Sequence, residues 1–131
     1  MEIQLSITGI MLIALGIIHL IFPKYFDWKN DLQSMSLINR QMMYVHTLFI
    51  GLVVFLMGVL CLLCSNDIVH THLGKMLSGG FFVFWFTRLV IQFTGYSSSL
   101  WKGKFFETFV HVLFSILWVY FSAVFFMIAF G

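Results

Sequence analysis

Charge is scarce in this chain. Only 9% of its 131 residues are Asp, Glu, Lys or Arg, and the formal net charge is +2. A soluble domain carries about a quarter charged residues, so this chain cannot cover itself with a water-facing surface. It has no basic run and no alternation of aromatic with basic residues, which argues against nucleic acid as a partner. The two cysteines, Cys61 and Cys64, are too few for a disulfide framework. Proline occurs once, at position 23, so long helices meet almost no built-in interruption. The first apolar run lacks a preceding basic segment and a small-residue cleavage site, so it is expected to be a retained span and not a removable signal.

Apolar residues, by contrast, make up 61% of the chain, and they fall in long continuous runs. A membrane-spanning helix needs roughly 20 mostly apolar residues. Four runs meet that length: Ile3 to Phe22, stopped by Pro23; Gln41 to Cys64, stopped by Ser65-Asn66-Asp67; Leu73 to Tyr96; and Phe105 to Phe130. A β-barrel would show alternating segments of about ten residues, and these runs do not alternate. The expected fold is all-α, a four-helix transmembrane bundle forming a single integral membrane domain over 1–131. Between the first two spans, Tyr25, Trp28, Leu32 and Met35 recur at helical spacing. They suit a short amphipathic helix in the membrane interface, and an irregular loop with an aromatic anchor fits them equally.

The polar residues of the spans fall at one depth. His19 closes the first run, His46 opens the second, Arg88 and Gln92 lie late in the third, and Glu107 and His111 lie early in the fourth. With antiparallel connections, all six sit within roughly 4–13 Å of the same boundary. Three helices also show a polar or small-residue face: Gly9, Gly16 and His19; Ser78, Arg88 and Gln92; His111, Ser115 and Ser122. The second span is less clear, because His46 shares a face with Ile50, Val53 and Met57, while Gly51 and Gly58 lie well round from it.

Three chemistries fit this layer. In the first, His19, His46 and His111 ligate a divalent metal, zinc or non-haem iron, with an open position for Lewis-acid or water-activating chemistry. Glu107, at i,i+4 from His111, and Arg88 are then the candidate catalytic residues, and Gln92 and Arg40 orient the cofactor or its ligand. In the second, two of the histidines hold haem b, with Arg88 or Arg40 at a propionate; that leaves the third histidine and Glu107 unused. In the third, no cofactor is bound, and the chain is a non-catalytic subunit beside other membrane subunits or copies of itself. No contiguous motif such as H-E-x-x-H supports the first, and each histidine taken singly is better explained by a helix–helix hydrogen bond. The simplest account of Arg88 and Glu107 is likewise an ion pair joining spans three and four. Cys61 and Cys64 sit at a helix C-terminal end, where small apolar packing explains them better than redox chemistry, and His70 and His72 belong to a polar turn.

Basic residues set the expected orientation. Lys24, Lys29, Arg40, Lys102 and Lys104 flank one side and only Lys75 the other, which places loops one and three in the cytoplasm of a multi-pass protein of the cytoplasmic membrane, with both termini outside. In a variant lacking Cys61 and Cys64, a cysteine introduced at Asn30 is therefore expected to resist membrane-impermeant thiol reagents in intact cells. Labelling from outside would reverse the orientation.

Overall fold

The structure, a computed structural model, describes residues 2–25, 27–95 and 105–131, apart from the side chain of Glu107. Tyr96, Lys102 and Lys104, which entered the span and orientation expectations, lie outside the described residues, as does the side chain of Glu107. All regular structure among the described residues is helical: α1 (Glu2–Ile18), α2 (Phe22–Tyr25), α3 (Trp28–Asp31), α4 (Leu37–Leu63), α5 (Ser65–His70), α6 (His72–Thr94) and α7 (Phe105–Phe130). The chain divides into two compact units, Ile3–Ser65 and Asn66–Gly131.

Helix ends follow local chemistry. Ser36 caps α4 by accepting the Asn39 N–H at 3.4 Å, and Thr71 caps α6 by accepting the Gly74 N–H at 3.0 Å. Each satisfies an amide that the first helical turn leaves without an internal partner. The turn expected at Ser65-Asn66-Asp67 instead begins the short α5.

Three helices, α4, α6 and α7, are long and apolar enough to cross a membrane; α1, with 17 residues, is shorter than the others. Of the four expected spans, three are met at full length, and the reason the first helix stops early lies just beyond Ile18. The His19 amide is shared between Leu15 O at 3.3 Å and Gly16 O at 3.2 Å, and the next two amides bond three residues back, Leu20 to Ile17 and Ile21 to Ile18. The helix tightens here because Pro23 has no N–H to donate and its ring would press on the carbonyl of residue 19. Pro23 instead sits in the first turn of α2, where no N–H is required.

The connection to α4, where the spacing allowed either a short amphipathic helix or an irregular loop, contains two four-residue helical turns, α2 and α3. Asp27, at φ 53° and ψ 48°, breaks continuity between them. Its carboxylate accepts from Asn30 Nδ2 at 3.1 and 2.9 Å, a local bond that helps an aspartate tolerate the left-handed region. The segment is anchored by the buried Leu32 and by Trp28, packed edge-on against Tyr44 at 5.5 Å.

Within the first unit, α1 and α4 pack antiparallel through glycines. A Cβ on Gly58 would lie 2.6 Å from the Gly9 carbonyl oxygen, and one on Gly16 would lie 2.7 Å from the Gly51 carbonyl oxygen. Gly9 pairs with Gly58 and Gly16 with Gly51, seven residues apart on each helix. The backbones touch because no side chain stands between them, as in close helix pairs in membranes. Along α4 the inward positions are Tyr44, Thr47, Gly51, Val54, Gly58 and Cys61, at alternating steps of three and four, the spacing of left-handed helix packing.

In the second unit, α6 and α7 form an antiparallel aromatic pair. Trp85 stacks on Trp118 at 5.1 Å and 16° and meets Phe121 edge-on at 5.1 Å, while Phe81 meets Phe125 edge-on at 5.2 Å. Trp85, Trp118, Phe121 and Phe125 are all buried. Offset-stacked and edge-to-face pairs each add about 0.5–1.5 kcal/mol beyond area burial.

The glycine contacts generate a paired prediction. Gly58→Ala is expected to lower the unfolding free energy in detergent by about 1–3 kcal/mol, the usual penalty of overpacking. Gly80→Ala has nothing within 4 Å of the added Cβ and is expected to be neutral or slightly stabilising through helix propensity. Equal effects of the two substitutions would show that the α1–α4 contact is not this close.

Candidate functional site

The second unit brings several polar residues of its helices together, and Gln92 is their hub. It projects from the last turn of α6 and is 5% exposed. Its Oε1 accepts from Arg88 Nη1 at 3.3 Å and from Trp118 Nε1 at 3.3 Å. Its Nε2 donates to His111 Nδ1 at 3.0 Å and to the His111 carbonyl oxygen at 3.3 Å. Both ends of one side-chain amide are thereby filled. The Arg88 guanidinium also lies over the Trp118 ring, 5.2 Å from its centroid, within cation–π range. Phe93 meets the His111 ring edge-on at 5.7 Å, and Ser115 Oγ donates to the His111 carbonyl at 2.8 Å.

Helix geometry brings these residues together. Arg88 and Gln92 are one turn apart on α6, and His111 and Trp118 are two turns apart on α7, so each pair shares a face. Antiparallel packing then brings the end of α6 beside the start of α7. Arginine and indole carry donors only, and a backbone carbonyl only accepts. The amide of Gln92 therefore has one orientation that satisfies every neighbour: oxygen toward Arg88 and Trp118, nitrogen toward His111. His111 Nδ1 is consequently an acceptor, and the ring proton of its neutral form resides on Nε2.

This arrangement bears directly on the metal expectation. Among the described residues, no three His, Cys, Asp or Glu side chains come together in a group that could hold a metal ion. Of the three expected histidine ligands, His19 and His46 belong to the first unit and His111 to the second. Within α7, the neutral His111 has Nδ1 engaged by Gln92 and a proton on Nε2, so neither nitrogen presents a lone pair. His46 is exposed on α4; Gly51 takes the side facing α1, and five residues of helix turn His46 about 140° away from it. His19 is half-buried, donates Nδ1–H to Leu15 O at 2.8 Å and packs on Phe22 at 4.7 Å. Arg40 is half-buried in the first turn of α4.

Sequence reasoning placed Arg88, Gln92 and His111 together and put Trp118 on the same stripe as His111, but it gave Gln92 a supporting role and did not name Trp118 as a site residue. Trp118 carries a usable signal, since it lies seven residues after His111 and one of its faces meets Arg88. Three further polar atoms on this helix pair are buried without a hydrogen-bond partner among the described residues: Ser78 Oγ, Trp85 Nε1 and Ser122 Oγ. Each costs about 1–3 kcal/mol, against which the aromatic packing must work.

Three long apolar helices and this Arg–Gln–His–Trp network define a multi-pass helical membrane protein. No protein family, curated protein or solved structure matches the chain.

Gln92→Leu is expected to lower unfolding stability by about 1–2 kcal/mol, because interhelical hydrogen bonds in membranes average about 0.6 kcal/mol and several are lost together. Ser115→Ala, which removes a bond within a single helix, is expected to change it by less than about 0.5 kcal/mol. Reversible unfolding of both variants in mixed micelles measures the difference.

Proposed function

We propose that this chain is a non-catalytic subunit of a membrane assembly, with the Gln92 network holding α6 and α7 in register. The observation that carries the reading is the completeness of that network. Gln92 fills both ends of its amide from Arg88, Trp118 and His111, so the polar groups best placed to form a reactive pocket instead join two helices. An arginine within a span is ordinarily turned toward protein and paired, and here its pairing includes the adjacent helix.

The need for a partner chain is supported by His46. It is exposed on α4 among Val45, Phe49 and Ile50, which are exposed as well, about 9 Å along the helix from Arg40. An imidazole directed at acyl chains has no hydrogen-bond partner. A neighbouring chain presenting a hydroxyl, amide or carboxylate would supply one.

The metal reading stands second, on one observation. His19 donates Nδ1–H to the Leu15 carbonyl, which leaves Nε2 as the lone-pair nitrogen, the state in which metal-ligating histidines are usually held. It requires ligands beyond those the described residues bring together.

One preparation separates the two readings. A photo-crosslinking residue at position 46 is expected to give protein adducts in native membranes, whereas one at Val83, an exposed position of α6, is expected to give lipid adducts. The purified chain is expected to contain no stoichiometric zinc or iron and no Soret band. Lipid adducts alone at position 46 would overturn the subunit reading. Stoichiometric metal that is lost on His19→Ala would replace it with the metal reading.

A further inference from the structure

The donor and acceptor pattern around Gln92 has a consequence for protons. Its amide cannot reverse. Turning it over would set Nε2 against the Arg88 and Trp118 N–H groups and Oε1 against the His111 carbonyl, three repulsive contacts in place of attractive ones. With the amide locked, the only partner whose hydrogen-bonding character can change is His111. A proton added to Nδ1 turns its acceptor into a donor, directed at the Gln92 N–H from 3.0 Å.

We propose that His111 is an intramembrane proton-binding site coupled to the α6–α7 contact: proton uptake at Nδ1 breaks the Gln92–His111 bond and loosens the network. No bond other than N–H forms, and the proton comes from water. The charged neighbour on α6 is Arg88, which shares Gln92 with His111. On α7 the titratable group nearest in sequence is Glu107, one turn before His111. The intact network accommodates neutral His111 and the loosened one accommodates either form, so protons bind preferentially to the loosened state, and lowering the pH shifts the chain toward it. Histidine is the side chain suited to do this near neutral pH. The inference concerns the network itself and does not depend on the chain being a subunit of anything.

The test uses the full chain in lipid nanodiscs with nitrogen-15-labelled histidine and tryptophan. At pH 8, His111 is expected to show a protonated Nε2 and an unprotonated, hydrogen-bonded Nδ1. Between pH 8 and pH 5 the His111 nitrogens and the Trp118 indole N–H are expected to shift in one common transition, because Trp118 reports on the same Gln92 amide. Two variants separate coupling from general acid sensitivity. His111→Asn places an amide oxygen where Nδ1 was, keeping an acceptor that does not titrate; the Trp118 signal is expected to stay at its pH 8 position throughout. Glu107→Gln is expected to leave His111 and Trp118 moving together even where the midpoint moves. A protonated Nδ1 at pH 8, a His111 transition that leaves Trp118 unmoved, or a Trp118 shift that persists in His111→Asn would each overturn the proposal.

Discussion

A buried amide in hydrocarbon has to satisfy both of its ends within the protein, and Gln92 does so with three residues on two helices. That constraint organises the second unit. It aligns the end of α6 with the start of α7, gives Arg88 a partner within the span, sets the tautomer of His111 and places the Trp118 indole. The aromatic stack below it, from Trp85 to Phe125, continues the antiparallel pairing that Gln92 begins. Dispersion and area burial hold that stack together, but they are non-directional, and a row of aromatic rings could slide by a turn. Hydrogen bonds of fixed donor and acceptor sense cannot, so the polar layer supplies the register that the apolar layer lacks.

The first unit solves the same packing problem through glycine. Between α1 and α4 the contact is backbone on backbone, made possible by two glycines on each helix. Lipid tails compete equally for apolar side chains, so a helix pair in a membrane gains most where backbones approach closely. The contrast between the units shows two routes to helix association: a seam of backbone on backbone at paired glycines and a seam of hydrogen bonds centred on Gln92. The orphaned Ser78, Trp85 and Ser122 atoms lie on the hydrogen-bonded side as well, so the larger share of unsatisfied polarity also belongs to α6 and α7.

Functionally, the network argues for economy of interpretation. Histidine, arginine and glutamate at one membrane depth suggest a reactive centre when read along the chain. The geometry directs Arg88, Gln92 and His111 into mutual contact and His46 outward. A reactive pocket needs unfilled valences aimed at a common point, and the amide at the centre of this site has none left.

Hydropathy and length in the sequence were enough to indicate a helical membrane protein with long apolar helices, because these are local properties that the bilayer reads directly. The sequence also located the polar faces of α6 and α7, since helical periodicity assigns residues three, four and seven apart to one side. Tertiary structure decided what these faces do. Whether Gln92 orients a cofactor or joins two helices depends on which donors and acceptors stand opposite it, and no periodicity encodes that. Gly51 and Gly58 were visible on α4, but their meaning depended on Gly9 and Gly16 being their partners; once the seam faces α1, His46 must turn away. The shortened α1 had a legible cause in Pro23, yet the ring acts on the preceding turn, so the helix ended at Ile18 and not at the residue beside the proline. Each of these outcomes was set by a contact between residues distant in the chain or by backbone geometry a turn away, which composition and hydropathy do not record.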